Sequence, residues 1–352
     1  MPGRRTDGNG NLLVVTGIHP QDGLGVVDLR TFEIATLWGQ VGENRFSPWW
    51  GGIRPGDRGT GQSGTGQPAL PARGDLNPMR VTFATEAVPG RPNEDFVGAT
   101  PDAIVLLDGA GTPPGSESGC VHGVAWYARS LGSTLLAGLA QDGKPLTEIL
   151  AEGIKAVASL HDFLCDLTHP GSPSATVVML RRTADALDFL VLADSVLILD
   201  VIGATEPMVI CDDREAQVGA AHRTAMDALA SGSPGHVSAH RAYVETLRDH
   251  RNRDGGFWVA AVDPLAAEQA LTGTVPADRV RSAALLSDGA SRLVDRFALA
   301  TWRQALHLLD DSSPEELIRR VREAEHSDPV GERWPRGKIF DDATAAYFLV
   351  LP

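Results

Sequence analysis

Three apolar, β-branched-rich runs, 175–180, 187–192 and 196–201, follow one another with only short connections. A parallel crossover needs a dozen or more residues, usually a helix, so neighbours this close pair antiparallel. The runs are separated by Arg-Arg-Thr-Ala-Asp and by Ala193-Asp194-Ser195, both rich in turn formers. Ahead of them lie a strand pattern at 81–85, a further one at 103–107, and two helical stretches. The first helix, within 119–139, carries Val121, Val124, Ala128, Leu131 and Leu135 near 3.6-residue spacing. The second, within 146–167 behind Pro145, carries Ile149, Leu150, Ile154, Val157 and Leu160. Beyond the meander come helical patterns at 214–231 and 236–250, a strand pattern at 256–262, a short helix at 264–271 and a strand at 282–286. Helices at about 294–309 and 314–325 precede a last strand at 345–351. Strands, a helix pair, strands, helices and strands in that order describe an α+β layered domain over 79–352.

The remainder of the chain has a different character. Residues 1–50 hold strand-like runs at 12–15, 25–29 and 32–37 and read as an N-terminal extension, either added strands or a weakly ordered segment. Residues 51–78 are so rich in Gly, Pro, Arg and Gln that they bury little apolar surface, and they read as a linker or long surface loop. With 45 acidic against 31 basic residues the net charge is −14, which excludes nucleic acid or an anionic membrane surface as the main partner. No apolar run follows the basic N-terminus, and none reaches the roughly 18 residues of a membrane span. Three widely spaced cysteines, Cys120, Cys165 and Cys211, suit a reducing cytoplasm and show no zinc spacing; they read as small buried hydrophobes. His122, His161, His169 and His307 share no metal-ligand spacing either.

Chemistry is carried by aspartates. Asp108 sits where the 103–107 run gives out into Asp-Gly-Ala-Gly. A carboxylate at the end of a buried strand is costly unless a cation meets it, and the flanking glycines admit close backbone approach. Asp95 in Asn-Glu-Asp, Asp194 in Ala-Asp-Ser, Asp288 in Ser-Asp-Gly and Asp341 in Asp-Asp-Ala-Thr share the same setting beside a strand end. Several carboxylates converging with few cations nearby repel one another unless metal neutralises them. Oxygen-only ligation selects hard ions, Mg²⁺ or Mn²⁺, and a pair of such ions suits hydrolysis of a phosphate ester. The Gly-rich 59–66 lacks the Gly-Lys-Ser/Thr of a P-loop, and Ser195 lacks a Gly-x-Ser-x-Gly elbow.

The ordered series Arg-Pro-Asn-Glu-Asp, Asp-Gly-Ala-Gly, Ala-Asp-Ser, Ser-Asp-Gly and Asp-Asp-Ala-Thr resembles the PPM, or PP2C-type, metal-dependent protein phosphatases over about 79–352. The resemblance implies an α-β-β-α sandwich of two antiparallel sheets and a cytoplasmic, bacterial-type phosphoserine/phosphothreonine phosphatase. It implies that Asp108 bridges two Mg²⁺ or Mn²⁺ ions, that the Gly109 carbonyl completes one of them, and that Asp288 and Asp341 hold the other. Glu94 and Asp95 match the first acidic pair, and Asp194 the position tied to a possible third ion. The implied nucleophile is a metal-activated water. The chain departs from the pattern at three places. Arg91, the counterpart of the phosphate-binding arginine, lies four residues rather than five before Asp95. Ala110 stands where many members have a histidine proton donor. Arg292 stands where many carry an acid for the third ion. Two other readings keep the fold: a phosphatase of a small phosphorylated metabolite, motivated by Arg91 and by Thr112-Pro113-Pro114-Gly115, and a catalytically weak binding module, motivated by Ala110 and Arg292.

Overall fold

In the computed structural model the chain divides into two units, Met1–Gly74 and Asp75–Pro352. The structure describes residues 79–112, 117–141, 143–161 and 164–350, together with four short strands in the first unit. Those strands form two antiparallel pairs, β1 (Arg5–Thr6) with β2 (Leu12–Leu13) and β3 (Leu24–Val27) with β4 (Ile34–Leu37). The linker reading of 51–78 and the loop at 113–116 fall outside the described residues.

In the second unit, β5 (Met79–Glu86), β10 (Val196–Val201), β11 (Met208–Ile210), β13 (Val280–Leu286) and β14 (Ala343–Val350) build one antiparallel sheet in the order β11-β10-β13-β14-β5. The other sheet is built from β6 (Phe96–Ala99), β7 (Ala103–Ala110), β8 (Ser174–Arg182), β9 (Ala186–Leu192) and β12 (Leu271–Pro276), in the order β12-β9-β8-β7-β6. Side chains alternate across a strand, and both faces of these strands are used. Ala103, Val105 and Leu107 of β7, with Val177 and Met179 of β8, face α1 (Val124–Leu139) and α2 (Leu146–Leu160). Ile104 and Leu106 of β7, Val178 and Leu180 of β8, Leu197 and Leu199 of β10, Leu285 of β13 and Phe348 of β14 form the layer between the sheets. Ile198, Ala284, Leu286 and Ala345 face α5 (Asp288–Asp295), α6 (Trp302–Asp311) and α7 (Pro314–Ser327). The result is the expected helix–sheet–sheet–helix order. A further helix pair, α3 (Arg214–Asp227) and α4 (Pro234–His250), connects β11 towards β12.

The structure revises several sequence expectations. The run at 256–262 is not a strand; it makes only isolated bridges, such as Ala260 with Ala175. Trp258 and Ala260 are apolar because they pack against the α1/α2 layer. The helix expected at 294–309 is two helices, α5 and α6, and β11 and β12 escaped notice because both are short and largely exposed. Strand β7 continues through Asp108 and Gly109 to Ala110, paired with β8, rather than ending in a turn before Asp108. Cys120 and Cys165 are half-buried and Cys211 is exposed, so none is the buried hydrophobe expected.

The three-residue link 193–195 between β9 and β10 delivers Asp194. It does so by holding Ala193 at φ 67°, a left-handed conformation that crowds a Cβ. Glycine there removes that strain at some cost in chain entropy. Ala193→Gly should therefore raise the urea midpoint by the equivalent of about 0.5–1 kcal/mol with unchanged slope. A lowered midpoint would show that the Ala193 methyl contributes more by packing than its backbone costs.

Candidate metal centre

At one end of the sandwich the inter-sheet layer turns polar while each strand keeps its register. On β5 the inward series Val81, Phe83 continues to Thr85, and on β14 the series Phe348, Ala346 runs back to Thr344. On β7, Ile104 and Leu106 lead to Asp108, and on β8, Leu180 and Val178 lead back to Thr176. Asp95, Ser195 and Ser287 occupy the matching places beside β6, β10 and β13. The hydroxyls brace the layer. Thr176 Oγ1 and Ser195 Oγ are 2.6 Å apart, and the Asp108 N–H donates to Thr176 Oγ1 at 3.3 Å. Thr344 Oγ1 donates to Asp95 Oδ2 at 2.6 Å and also meets Thr85 Oγ1 at 2.7 Å, which accepts from Asn93 Nδ2. The backbone of 344 pairs with Ser287 in both directions at 2.9 Å.

Into this braced end converge Asp95, Asp108, Asp288 and Asp341. Asp288 opens α5, and its N–H donates to Asp108 Oδ2 at 3.2 Å, joining the two sheets directly. Gly289 allows the approach, since a Cβ there would strike the Asp342 carbonyl; at Gly109 a Cβ would strike the Glu94 carbonyl and Val124. Asp342 has a different task from its neighbour. Its two oxygens accept from the N–H groups of Val88 (2.6 Å) and Glu94 (2.8 Å), fixing the segment that carries Glu94 and Asp95.

The electrostatics are those of a cluster short of positive charge. Burial, then the charges of Asp95, Asp288 and Asp341, push the Asp108 carboxyl well above its ordinary range. Burial pushes Asp95 up to about 8 against the help of its Thr344 hydrogen bond, and Asp342 and Asp288 add to the rise. Glu94 is raised by burial and then by Asp342, and Asp341 by burial and then by Asp288. Asp288 alone is lowered: burial opposes its charge, but Arg292 and Lys338 outweigh it.

Two cations already touch the cluster. Arg292 is buried and forks between Asp341 Oδ2 and Glu325 Oε1, both at 2.8 Å, while Arg322 takes the other Glu325 oxygen at 2.6 Å. Arg292 is thus a brace between α5, α7 and the approach to β14, which accounts for a base where an acid was expected. Lys338 Nζ lies 2.9 Å from Asp341 Oδ1, with its side chain 57% exposed, and stands in for a cation at the open edge. Asp194 lies to one side. Burial, Glu215 of α3 and then Asp288 raise its carboxyl, and burial and Asp288 raise Glu215 in turn. Glu215 is also within 3.5 Å of the Tyr243 hydroxyl, which accepts from Arg223. Arg91 is exposed on the turn before Asn93, close enough for its charge to be felt by Glu94. Ala110 is exposed, and Asp295 turns back to Ser291 at 2.6 Å. Sequence reasoning missed Glu215 and Lys338. Glu215 left no local signal, whereas Lys338, three residues before Asp341, was visible as a cation beside a predicted ligand.

The residues fit a divalent-cation centre. Asp95 Oδ1 is buried without a hydrogen-bond partner, the donors converging there are carboxylate oxygens, and a lysine ammonium sits at the edge. The sequence profile described as protein phosphatase 2C matches residues 85–322. The chain belongs to the protein phosphatase 2C family. It is a metal-dependent serine/threonine protein phosphatase. The matched span stops before Lys338 and Asp341, so their place in the centre rests on the geometry above. Similar solved structures include the Mycobacterium tuberculosis serine/threonine phosphatase PstP/Ppp, at 18% identity over 78% of this chain and 100% of that one, TM-score 0.46. Staphylococcus aureus Stp1 matches at 13% identity over 78% and 96%, TM-score 0.47. Pseudomonas aeruginosa PppA, described as a key regulatory component of T6SS, matches at 16% over 78% and 99%, TM-score 0.47. No curated protein matched the sequence. No described helix is long and apolar enough to cross a membrane.

A carboxyl whose pKa is raised by folding favours the native state while protonated, and that contribution is lost as pH rises through its folded value. For Asp95 the window runs from 3.8 to about 8. EDTA-treated protein should therefore melt lower at about pH 8 than at about pH 6, and Mn²⁺ should raise Tm more at the higher pH. A metal effect that is larger at the lower pH would contradict this. Gly289→Ala should weaken Mn²⁺ binding by about tenfold or more while leaving the circular dichroism of the sheets intact, because overpacking of about 1–3 kcal/mol falls on the close approach of residue 289 to the Asp342 carbonyl. Unchanged affinity would mean that the close approach of Gly289 does not set the site.

Proposed function

We propose that residues 79–352 form the phosphatase domain and that Asp108 serves two Mg²⁺ or Mn²⁺ ions. In this reading Asp95, Glu94 and the Gly109 carbonyl complete one position, and Asp288 and Asp341 the other. The observation that carries it is the convergence of buried and half-buried carboxylates from both sheets, with Asp95 Oδ1 left unpartnered. When bound, the two ions supply the charge that acidifies a water and holds phosphoryl oxygens.

The chain's own groups do the rest. Asp342 and Asn93 fix the backbone that presents Glu94 and Asp95. Thr344 leaves Asp95 one free oxygen by engaging the other. Lys338 releases Asp341 Oδ1 when the centre fills, whereas Arg292, locked against Glu325, stays and leaves Asp341 a weaker ligand than Asp288. Arg91, on an exposed turn near Glu94, supplies a guanidinium fork to the substrate phosphate. Position 110 offers no proton, so the leaving oxygen takes its proton from solvent. Asp194 with Glu215 forms a lesser acidic position where a further cation binds, Glu215 taking the part that Arg292 cannot. The substrates are phosphoserine and phosphothreonine in proteins, and three free cysteines suit a reducing bacterial cytoplasm.

Hydrolysis of an aryl phosphate should require Mn²⁺ or Mg²⁺ and stop with EDTA. Asp108→Asn should lower kcat by about a thousandfold or more. Arg91→Ala should raise KM for phosphate esters by about tenfold, with little change in kcat. EDTA-resistant turnover would overturn the assignment, and faster hydrolysis of free phosphorylated metabolites than of phosphopeptides would overturn the substrate class.

A further inference from the structure

Away from the carboxylate cluster, three side chains of two connections meet. Cys120 and His122 lie on the connection from β7 to α1, and Cys165 on the connection from α2 to β8. Cys120 Sγ and Cys165 Sγ are 3.8 Å apart, Cys120 Sγ and His122 Nδ1 3.8 Å, and Cys165 Sγ and His122 Nδ1 3.5 Å. Among the described residues this is the one group of three His, Cys, Asp or Glu side chains whose ligand atoms all lie within 4.8 Å of one another. A zinc ion about 2.3 Å from sulfur and about 2.0 Å from nitrogen, at the tetrahedral angle, sets two sulfurs about 3.8 Å apart and sulfur and nitrogen about 3.5 Å apart. The observed triangle has nearly those edges, so it forms one face of such a tetrahedron.

The surroundings fit the same ion. The His122 backbone N–H donates to Cys120 Sγ at 3.3 Å, partly offsetting the burial that pushes this thiol up, so the metal itself must displace the proton. The His122 ring is stacked on Trp126 at 4.3 Å and meets His161 edge-on at 5.3 Å, and His161 is held by Val157 O at 3.0 Å, so the imidazole has a fixed aim. The two connections are already packed together. The Asp166 N–H donates to Gly119 O at 2.7 Å across them, while bonds from Ser118 Oγ to Cys120 O at 2.9 Å and from Ser172 Oγ to Asp166 O at 3.2 Å brace each connection internally. Two thiolates and an imidazole select a soft or borderline ion over the hard ions that suit Asp108 and its neighbours.

We propose that Cys120, His122 and Cys165 form a zinc site, with a fourth position open to solvent on the exposed His122 side. The ion ties the connection leaving β7 to the one entering β8, beside the paired strand ends at Ala110 and Ser174 that follow Asp108. Binding displaces the thiol protons, and no redox step is involved.

The test is Co²⁺ added to the EDTA-stripped full chain. The proposal expects one equivalent to give an intense near-ultraviolet sulfur-to-cobalt charge-transfer band, which oxygen ligands do not produce, and expects Zn²⁺ to abolish it. Asp108→Asn and Cys211→Ser should keep the band. Cys120→Ser and Cys165→Ser should each weaken Co²⁺ and Zn²⁺ binding by more than about a hundredfold. No thiolate band in the unaltered protein would overturn the site, whatever the variants do. So would a band lost in Cys211→Ser, or Cys120 and Cys165 forming a disulfide in preference to binding Zn²⁺ under mildly reducing conditions.

Discussion

The alternation of side chains along paired strands is the constraint on which this structure depends. Each central strand must satisfy two apolar layers at once, one against its helices and one against the opposite sheet. A slip of one residue in any register would exchange the two sets. Because register is fixed by that double demand, whatever residue follows the last inward-facing apolar side chain is delivered to one end of the inter-sheet space. Thr85, Asp108, Thr176 and Thr344 arrive there as the next members of an apolar series, and Asp95, Ser195 and Ser287 join them from the adjoining segments. The site is therefore the continuation of the core in polar residues, and the rigidity of the core is the rigidity of the site.

Burial makes that continuation expensive. Four carboxyls share a space in which three are raised and only Asp288 is lowered, because Arg292 and Lys338 offset its burial. The two cations differ in permanence. Arg292 is sealed between Asp341 and Glu325, and Arg322 extends that chain of charges to Glu86 of β5. Removing such a member strands its partners in a poorly solvated interior. The Lys338 side chain is largely exposed, so it neutralises Asp341 without being sealed into the site. One part of the charge is structural and the other is exchangeable, an arrangement suited to admitting a stronger cation.

What could be read from the sequence follows from what is local. The strands from β7 to β10 were legible because apolar runs and turn formers alternate over short distances, and Asp95, Asp108, Asp194, Asp288 and Asp341 because each adjoins a strand end. The PP2C-type sandwich was legible through their order. Glu215 was not, since it reaches Asp194 and Asp288 only after α3 folds back. Nor was the purpose of Arg292, whose partners Glu325 and Asp341 are remote in sequence. The 256–262 run misled because apolar character marks burial rather than pairing: Trp258 and Ala260 are buried against helices. Cys120, His122 and Cys165 have no recognisable spacing, because the two connections that bring them together are neighbours only once β7 and β8 pair.

A two-cation centre at the braced acidic end of the sandwich would explain why these carboxyls are kept together. Anomalous diffraction from crystals soaked in Mn²⁺ tests this most directly. Two strong manganese peaks sharing Asp108 are expected, one of them against Asp95 Oδ1, with Lys338 withdrawn from Asp341 and Arg292 still paired with Glu325. A cluster without manganese, and with Lys338 still on Asp341 at saturating Mn²⁺, would contradict it.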